Sequence, residues 1–343
     1  MPSALPLPLE TPRTRVRMLG AADLDTFVKY RNDQQIARYQ DWPLPYTHHD
    51  AERLLAGQAE HDGPVPDGDM VQLAIEHAGT IVGDIGVDLR FGGATAGIGY
   101  TLMRSAHGRG LAVEAVGGVV DALFRTAGVR RVIASTDPEN LASIRVLDLL
   151  GFTCEGLARR AEPIRGEWLD DLRFGLLADE RLAWLGRPRA YEQFELVEMR
   201  HEHTRAVASL TTHQHQRHLV SPMSKTLAEA ISPPDWEGHP MRPWHRVIVA
   251  DGHVAGFAMV GMPTPTEPAP YLWRLLIDRG HQGRGLGAAT VRAIAEHFRA
   301  EGCTLMTTSF VPGLGSPQRF YEGLGFRLNG REDDGELEAE LAL

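Results

Sequence analysis

Two glycine-spaced hexapeptides are the residues best placed to do chemistry in this chain: His107-Gly108-Arg109-Gly110-Leu111-Ala112 and Gln282-Gly283-Arg284-Gly285-Leu286-Gly287. Glycines spaced this closely let several backbone N–H groups converge on one point with no Cβ in the way. Between a strand and a helix, that point lies at the positive end of the helix dipole. The chemistry this suits is the holding of a phosphate or diphosphate. Each loop is followed by a Leu-Gly-Phe tripeptide, Leu150-Gly151-Phe152 and Leu324-Gly325-Phe326. Gly110 and Gly285 are 175 positions apart, and Gly151 and Gly325 are 174 apart. Two motifs recurring together at one offset mark a single fold used twice.

The elements that must position these loops also repeat. In the first half, residues 14–19 alternate as a strand, Thr47 is placed to cap a helix, and 70–76 with 80–87 form a hairpin about His77-Ala78-Gly79. Residues 97–102 form the strand that ends at the loop. Helical spacing follows over 111–126, then a strand at 130–136, a helix over 140–150 ending at Gly151, and two strands near 154–159 and 168–177. In the second half, strands at 245–249, 255–262 and 271–278 precede the loop. A helix (288–300), a strand (304–310), a helix (317–324, begun by Ser316-Pro317) and one closing strand follow it. This order predicts an α/β (α+β) fold, each half a mixed, mostly antiparallel sheet flanked by helices. The boundary falls near Gly186-Arg187-Pro188-Arg189, giving domains 1–186 and 191–343. The proline-rich start reads as a disordered leader, and the histidines of 212–218 read as solvated surface, because their spacing matches no standard metal motif.

Composition narrows the function. The formal net charge of −10 argues against a protein that tracks nucleic-acid phosphates and favours a partner that is small or itself cationic. Cys154 and Cys303 form no CxxC and no metal spacing, so neither a disulfide framework nor a metal site is expected. With no signal-like start and no apolar run of about 18 residues, the expected setting is the cytoplasm, away from membranes.

Gly283-Arg284-Gly285-Leu286-Gly287-Ala288 fits the G-x-G-x-x-A dinucleotide pattern, but several strands precede each loop. The residues near Thr307, Thr308 and Ser309, where an acidic ribose ligand belongs, are not acidic, and Val113 breaks the first copy. A glycine loop of the type Q/R-x-x-G-x-G/A after a strand, with a distal helix running into L-G-F, resembles the GNAT superfamily of acetyl-CoA-dependent N-acetyltransferases. The resemblance covers almost the whole chain in two copies. It implies acetyl-CoA as cofactor, one per domain, with the diphosphate held by His107, Gly108, Arg109, Gly110, Leu111 and Ala112 in one half. Gln282, Gly283, Arg284, Gly285, Leu286 and Gly287 take that part in the other. His107 stands where Gln or Arg is usual.

In the second half, Phe320-Tyr321-Glu322-Gly323-Leu324-Gly325-Phe326 is similar to the segment whose tyrosine serves the family as general acid, which implies that role for Tyr321. Leu314 replaces the asparagine usual seven residues earlier. The first half has Leu147 where that tyrosine would stand. Its Asn140-Leu141-Ala142-Ser143 segment, with Thr14–Arg17 and Arg165–Asp171, resembles the Rim-type N-terminal acetyltransferases. That branch implies pantetheine binding by Asn140 and an acid role for Ser143, although both residues also suit a helix cap. The front of the second half, from His213-Gln214 to Leu227-Ala228-Glu229-Ala230, is similar to diamine and polyamine acetyltransferases. Glu336 and Asp84 are candidate bases. The expected reaction is acetyl transfer to a primary amine of a small molecule. Its rivals are one live and one decayed half, and an acyl-CoA-binding sensor or scaffold.

Overall fold

The computed structural model describes residues 5–236, 239–265, 267–313 and 315–343. Leu314 and the first four residues of the leader lie outside them. The chain divides into two compact units, Met1–Gly186 and Arg187–Leu343.

The strands of the first unit are β1 (Leu9–Glu10), β2 (Arg15–Met18), β3 (Val71–His77), β4 (Thr80–Arg90), β5 (Thr95–Leu102), β6 (Arg131–Thr136), β7 (Thr153–Ile164) and β8 (Glu167–Leu177). They form one sheet in the order β1-β2-β3-β4-β5-β6-β8-β7. Helices α1 (Leu24–Arg31), α2 (Gln34–Ala37) and α3 (His48–Gln58) pack on one face; α4 (Leu111–Arg125) and α5 (Leu141–Leu150) pack on the other, and α6 (Ala178–Gly186) closes the unit. β4 is buried from Ile81 to Leu89 because both its faces are covered. The turn from β3 to β4 has positive φ at Ala78 and Gly79, the combination that matches strand twist in a two-residue hairpin. Thr47 caps α3 in a reciprocal capping box with Asp50.

The leader is not disordered where it is described. Leu5 is 3% exposed, Leu7 and Leu9 pack on the same core, and β1 pairs with β2. Pro6 and Pro8 precede β1, so neither has to donate to the ladder.

The second unit contains β9 (Phe194–Val197), a short ribbon of β10 (Asp235–Trp236) and β11 (His239–Pro240), then β12 (Pro243–Ala250), β13 (His253–Gly261), β14 (Tyr271–Ile277), β15 (Leu305–Phe310), β16 (Arg327–Asp333) and β17 (Glu336–Ala342). Its sheet runs β16-β17-β15-β14-β13-β12-β9. Strand periodicity sorts the core: Val247, Phe257 and Met259 face α7 (Thr204–Ser209) and α8 (Met223–Ile231), whereas Ile248, Ala258 and Val260 face α9 (Leu286–Ala300) and α10 (Gln318–Gly323). The unit closes with two strands rather than one. Positive φ at Asp334 and Gly335 makes the acidic stretch a tight hairpin turn between β16 and β17. His213 and His215 are buried, with rings stacked at 5.6 Å, and are not solvated surface.

Each main sheet has one parallel strand pair among the described residues, and it parts. β5 pairs with β6 only at Thr95, Ala96 and Gly97, then runs on to Leu102. β14 pairs with β15 only at Tyr271 and Leu272, then runs on to Ile277. A bulge at Trp273, between the partners of Val260 and Met259, bends β14 where it leaves β15.

The glycines that end α5 and α10 differ in surroundings. Gly151 has φ +93°, and a Cβ there would come within 2.6 Å of the Trp184 ring; at Gly325, φ +99°, the nearest atom is Leu341 Cδ1 at 3.3 Å. Both Gly→Ala substitutions incur the left-handed penalty of about 1–2 kcal/mol. Gly151→Ala also displaces an indole, so in urea unfolding the first unit should lose about 1–3 kcal/mol more than Gly325→Ala removes from the second.

Candidate functional site

In both units the parted strand leads into its glycine loop. Gly108 and Gly110 have φ +71° and +76°, and Gly283 and Gly285 have φ +75° and +83°. Gly110 and Gly285 occupy the N-cap positions of α4 and α9, and no side chain caps either helix. The first-turn N–H groups are therefore available to an external acceptor. A Cβ at Gly108 or Gly283 would meet nothing within 4 Å, so glycine is needed there for its backbone angle and the space over the loop is open. Leu111 and Leu286, each 1% exposed, turn their side chains into the core, so the part left to them at an anion is their N–H.

His107 and Gln282 make the same contact. His107 Nε2 donates to the Leu102 carbonyl at 2.9 Å, and Gln282 Nε2 donates to the Ile277 carbonyl at 3.0 Å, tying each loop to the end of its strand. Gln282 also exchanges carboxamide hydrogen bonds with Gln216. The arginines brace the loops from behind. Arg284, 8% exposed, donates to the Ala190 carbonyl and pairs with Asp251, while Arg109 donates to His77 Nε2 at 2.9 Å. Glu114, on the first turn of α4, accepts from the Thr11 hydroxyl and the Arg13 side chain, and Arg13 also donates to the Arg109 carbonyl. Those donors hold the Glu114 carboxyl below its ordinary value against the opposing effect of burial.

In the second unit a cavity of about 810 Å³ brings the loop, the parting of β14 and β15, and the expected acid together: Gly283, Gly285, Leu286, Thr308, Ser309, Tyr321 and Glu336 all line it. Tyr321, on α10, stacks on Phe310 at 5.6 Å. Burial pushes its hydroxyl up to about 12, with a hydrogen bond to Thr308 pulling back. Ser316 accepts from the Gln318 N–H and Pro317 stands at the helix N-cap, so these two residues start α10.

The first unit is arranged differently. Leu147, at the position matching Tyr321, is fully buried. The Ser143 hydroxyl lies 3.0 Å from the Tyr100 hydroxyl, which also donates to the Ser143 carbonyl at 2.9 Å. Tyr100 therefore supplies a phenol beside Ser143 from β5 instead of from the helix, and burial raises it well above an ordinary tyrosine. The sequence carried no signal for it, because the matching position in the second copy is Leu275. Asn140 uses its carboxamide oxygen to accept the Ser143 N–H at 3.2 Å and so caps α5. A cavity of about 780 Å³ lies against β4, β5, β6 and β8; Asp84, Tyr100, Ser135 and Asp171 line it, whereas the glycine loop and Ser143 do not. Asp84, 1% exposed, accepts from Tyr30, Gln72 and Arg31. Burial raises its carboxyl, and its surrounding donors make it a structural centre more than a free base.

Among the described residues, no group of three or more His, Cys, Asp or Glu side chains is placed to hold a metal ion, and no helix is long and apolar enough to cross a membrane. Residues 13–153 match the model of an acetyltransferase (GNAT) domain, and residues 205–326 match that of the acetyltransferase (GNAT) family. Over 175 residues the chain is 29% identical to "Uncharacterized N-acetyltransferase p20" of Bacillus licheniformis, covering 50% of this chain and 97% of that one. It is 45% identical over 76 residues to a probable N-acetyltransferase, YjcK, of Bacillus subtilis, covering 22% and 42%. It is 34% identical over 73 residues to the ribosomal protein uS5-alanine N-acetyltransferase of Escherichia coli, covering 21% and 38%.

The shared contact of His107 and Gln282 gives a direct test of loop order. His107→Gln should leave amide exchange of residues 102–110 unchanged. His107→Ala should speed it about fivefold, as the loss of one hydrogen bond of about 1 kcal/mol requires.

Proposed function

The chain belongs to the GNAT acetyltransferases, with one domain of that family in each half, and from this premise we propose that each half transfers acetyl from its own acetyl-CoA to a primary amine of a small molecule. The observation that carries this reading is the second unit's single cavity, which joins an uncapped glycine loop, a parted strand pair and a buried tyrosine hydroxyl. Acetyl-CoA, when bound, supplies an activated acyl group that an amine can attack. The loop N–H groups of residues 108–112 and 283–287 bind its diphosphate. The facing edges of β5 with β6, and of β14 with β15, offer unpaired N–H and C=O groups to an extended ligand.

The Tyr321 hydroxyl, held up to about 12, stays protonated at neutral pH and donates its proton to the leaving sulfur. In the first unit Ser143, oriented by Tyr100, takes that part, and Asn140 offers its remaining amide donors beside it. An amine with a pKa of about 10 is almost wholly protonated at neutral pH, so each half also needs a proton acceptor on the amine's side.

The reading is tested by free-thiol release from acetyl-CoA across primary amines that include polyamines, aminoglycosides and an alanine-initiated peptide. Thiol release should depend on the amine. Gly110→Asp and Gly285→Asp, made separately, should each remove one half's cofactor binding and spare the other's, because the new carboxylate stands in the anion cradle at a left-handed φ. Tyr321→Phe in the Gly110→Asp background should lower kcat about 10²-fold or more with little change in KM for acetyl-CoA. Full activity in that variant excludes Tyr321 as the acid. An absence of thiol release with every amine overturns the reading as a whole.

A further inference from the structure

The two halves share a second pair of residues that no loop motif announces. On the outer strand of each parallel pair a serine stands just beyond the last paired residue, Ser135 two positions past Ile133 and Ser309 one position past Thr308. Opposite these serines on the next antiparallel strand stand Arg173 and Glu338. Two residues before each of those, on the same face, is a carboxylate: Asp171 and Glu336. The Ser309 hydroxyl donates to Glu336 Oε2, and Ser135 is near enough to Asp171 to pull its carboxyl down. All four residues line the cavity of their own unit.

We propose that these serine–carboxylate couples are the proton outlets for the acceptor amine, Ser309 with Glu336 in the second half and Ser135 with Asp171 in the first. The proposal rests on the acetyl-transfer reading above and identifies the proton acceptor that reading lacks. In the second half the tyrosine at the start of β14 fixes the serine. Since Ser309 gives its one proton to Glu336, the Tyr271 hydroxyl 2.6 Å away donates to Ser309, which leaves one serine lone pair for an incoming N–H. Tyr271 is a positioning residue. The ammonium proton passes to Ser309 Oγ as the serine's own proton passes to Glu336, and Glu336 releases it to water. The neutral nitrogen then forms the C–N bond, the C–S electron pair leaves on sulfur, Tyr321 protonates the sulfur, and the surplus proton on nitrogen returns to the phenolate. Tyr321 and Ser309 lie on opposite faces of β15, because Thr308 and Phe310 meet α10 while Ser309 meets Glu336. The proton donor and the proton acceptor are thereby kept apart on the two sides of the parted strands.

Glu336 accepts from Ser309, and the charged groups acting on the neighbouring Tyr271 are Glu336, Arg274 and Glu338; the groups acting on Asp171 are Ser135, Arg173 and Asp137. Burial raises the Asp171 carboxyl, with Ser135 and Arg173 pulling back, which moves it toward the range where a carboxylate is an effective base.

The test uses the full chain with one loop disabled, Gly110→Asp to read the second half and Gly285→Asp to read the first. Glu336→Gln and Asp171→Asn should each lower kcat by about 10²-fold or more with KM for acetyl-CoA unchanged. The loss should shrink as pH rises toward the pKa of the amine, about 10, because the amine then arrives already neutral. Glu336→Asp should recover part of the rate. A loss that stays constant with pH, or no loss, overturns the proposal. A parent enzyme that releases no thiol with any amine overturns the transfer reading instead.

A second readout needs no acetyl-CoA. In ring-labelled tyrosine NMR, with Tyr271→Phe assigning the resonance, Tyr271 should ionise at lower pH in Glu336→Gln, which removes a repelling charge. It should ionise at higher pH in Ser309→Ala, which removes a hydrogen bond to the phenolate. A Tyr271 midpoint unmoved by both substitutions breaks the file at its first link.

Discussion

The parting of one parallel strand pair is the constraint on which each unit depends. Everywhere else in the sheets, neighbouring strands pair antiparallel over most of their length, and the backbone groups are satisfied by the ladder. Where β5 leaves β6 and β14 leaves β15, the facing N–H and C=O groups lose that partner, and burying them unpaired costs about 1–3 kcal/mol each. A sheet keeps such a gap open only if something else holds both lips. Here α4 and α9 back the departing strand: each follows it through the glycine loop, starts at a left-handed glycine, and packs a fully buried leucine, Leu111 or Leu286, into the core beneath. The same glycine that turns the chain from strand to helix leaves the first helical N–H groups free. The gap between the strands and the loop of free N–H groups are thus one feature, and the side chains that tie the loop to the strand, His107 and Gln282, both donate to the last carbonyl of the departing strand.

Fixing the gap leaves the side chains around it free to differ. In the second unit a phenol enters from α10, whereas in the first that helical position is Leu147, fully buried, and the phenol enters from β5 as Tyr100. Tyr100 meets a serine on α5 and Tyr321 meets a threonine on β15, so each hydroxyl has a neutral hydroxyl neighbour and none is paired to a carboxylate. That arrangement, with burial, keeps both phenols protonated.

Much of the fold was legible because its signals are local. Glycine spacing, the Leu-Gly-Phe helix ends, the turn at Ala78-Gly79 and the Thr47 cap each depend on residues a few positions apart. The features that were missed depend on register or on distant partners. The leader packs because Leu5, Leu7 and Leu9 find a core edge supplied by residues far along the chain. The acidic stretch at 332–336 carries a turn at Asp334-Gly335, but that the turn joins two strands depends on the pairing of β16 with β17, which composition does not display. His213 and His215 look solvated by composition yet are buried, each ring stacked on the other. The serine–carboxylate couples illustrate the limit best. The two serines are 174 positions apart, as the Leu-Gly-Phe glycines are, but Asp171 and Glu336 are only 165 apart, so no constant offset reveals them. A pairing register is needed, and register is set by long-range strand contacts that the linear sequence does not display.

A last consequence concerns charge. A protein with a formal net charge of −10 is expected to repel a polyanionic cofactor, and the arginine in each glycine loop looks at first like the remedy. The side chains do not serve that purpose: Arg284 is buried against Asp251 and the Ala190 carbonyl, and Arg109 reaches back to His77. In the proposed function, attraction therefore rests on oriented N–H dipoles at the starts of α4 and α9, whose field falls off within about one helical turn. Such a field does little to steer a distant anion but is strong at contact, so the loops select by fit and not by long-range pull. The arginines act one step removed, by holding the loop backbone in the left-handed turns that aim those dipoles. Replacing them changes the shape of the cradle before it changes its charge.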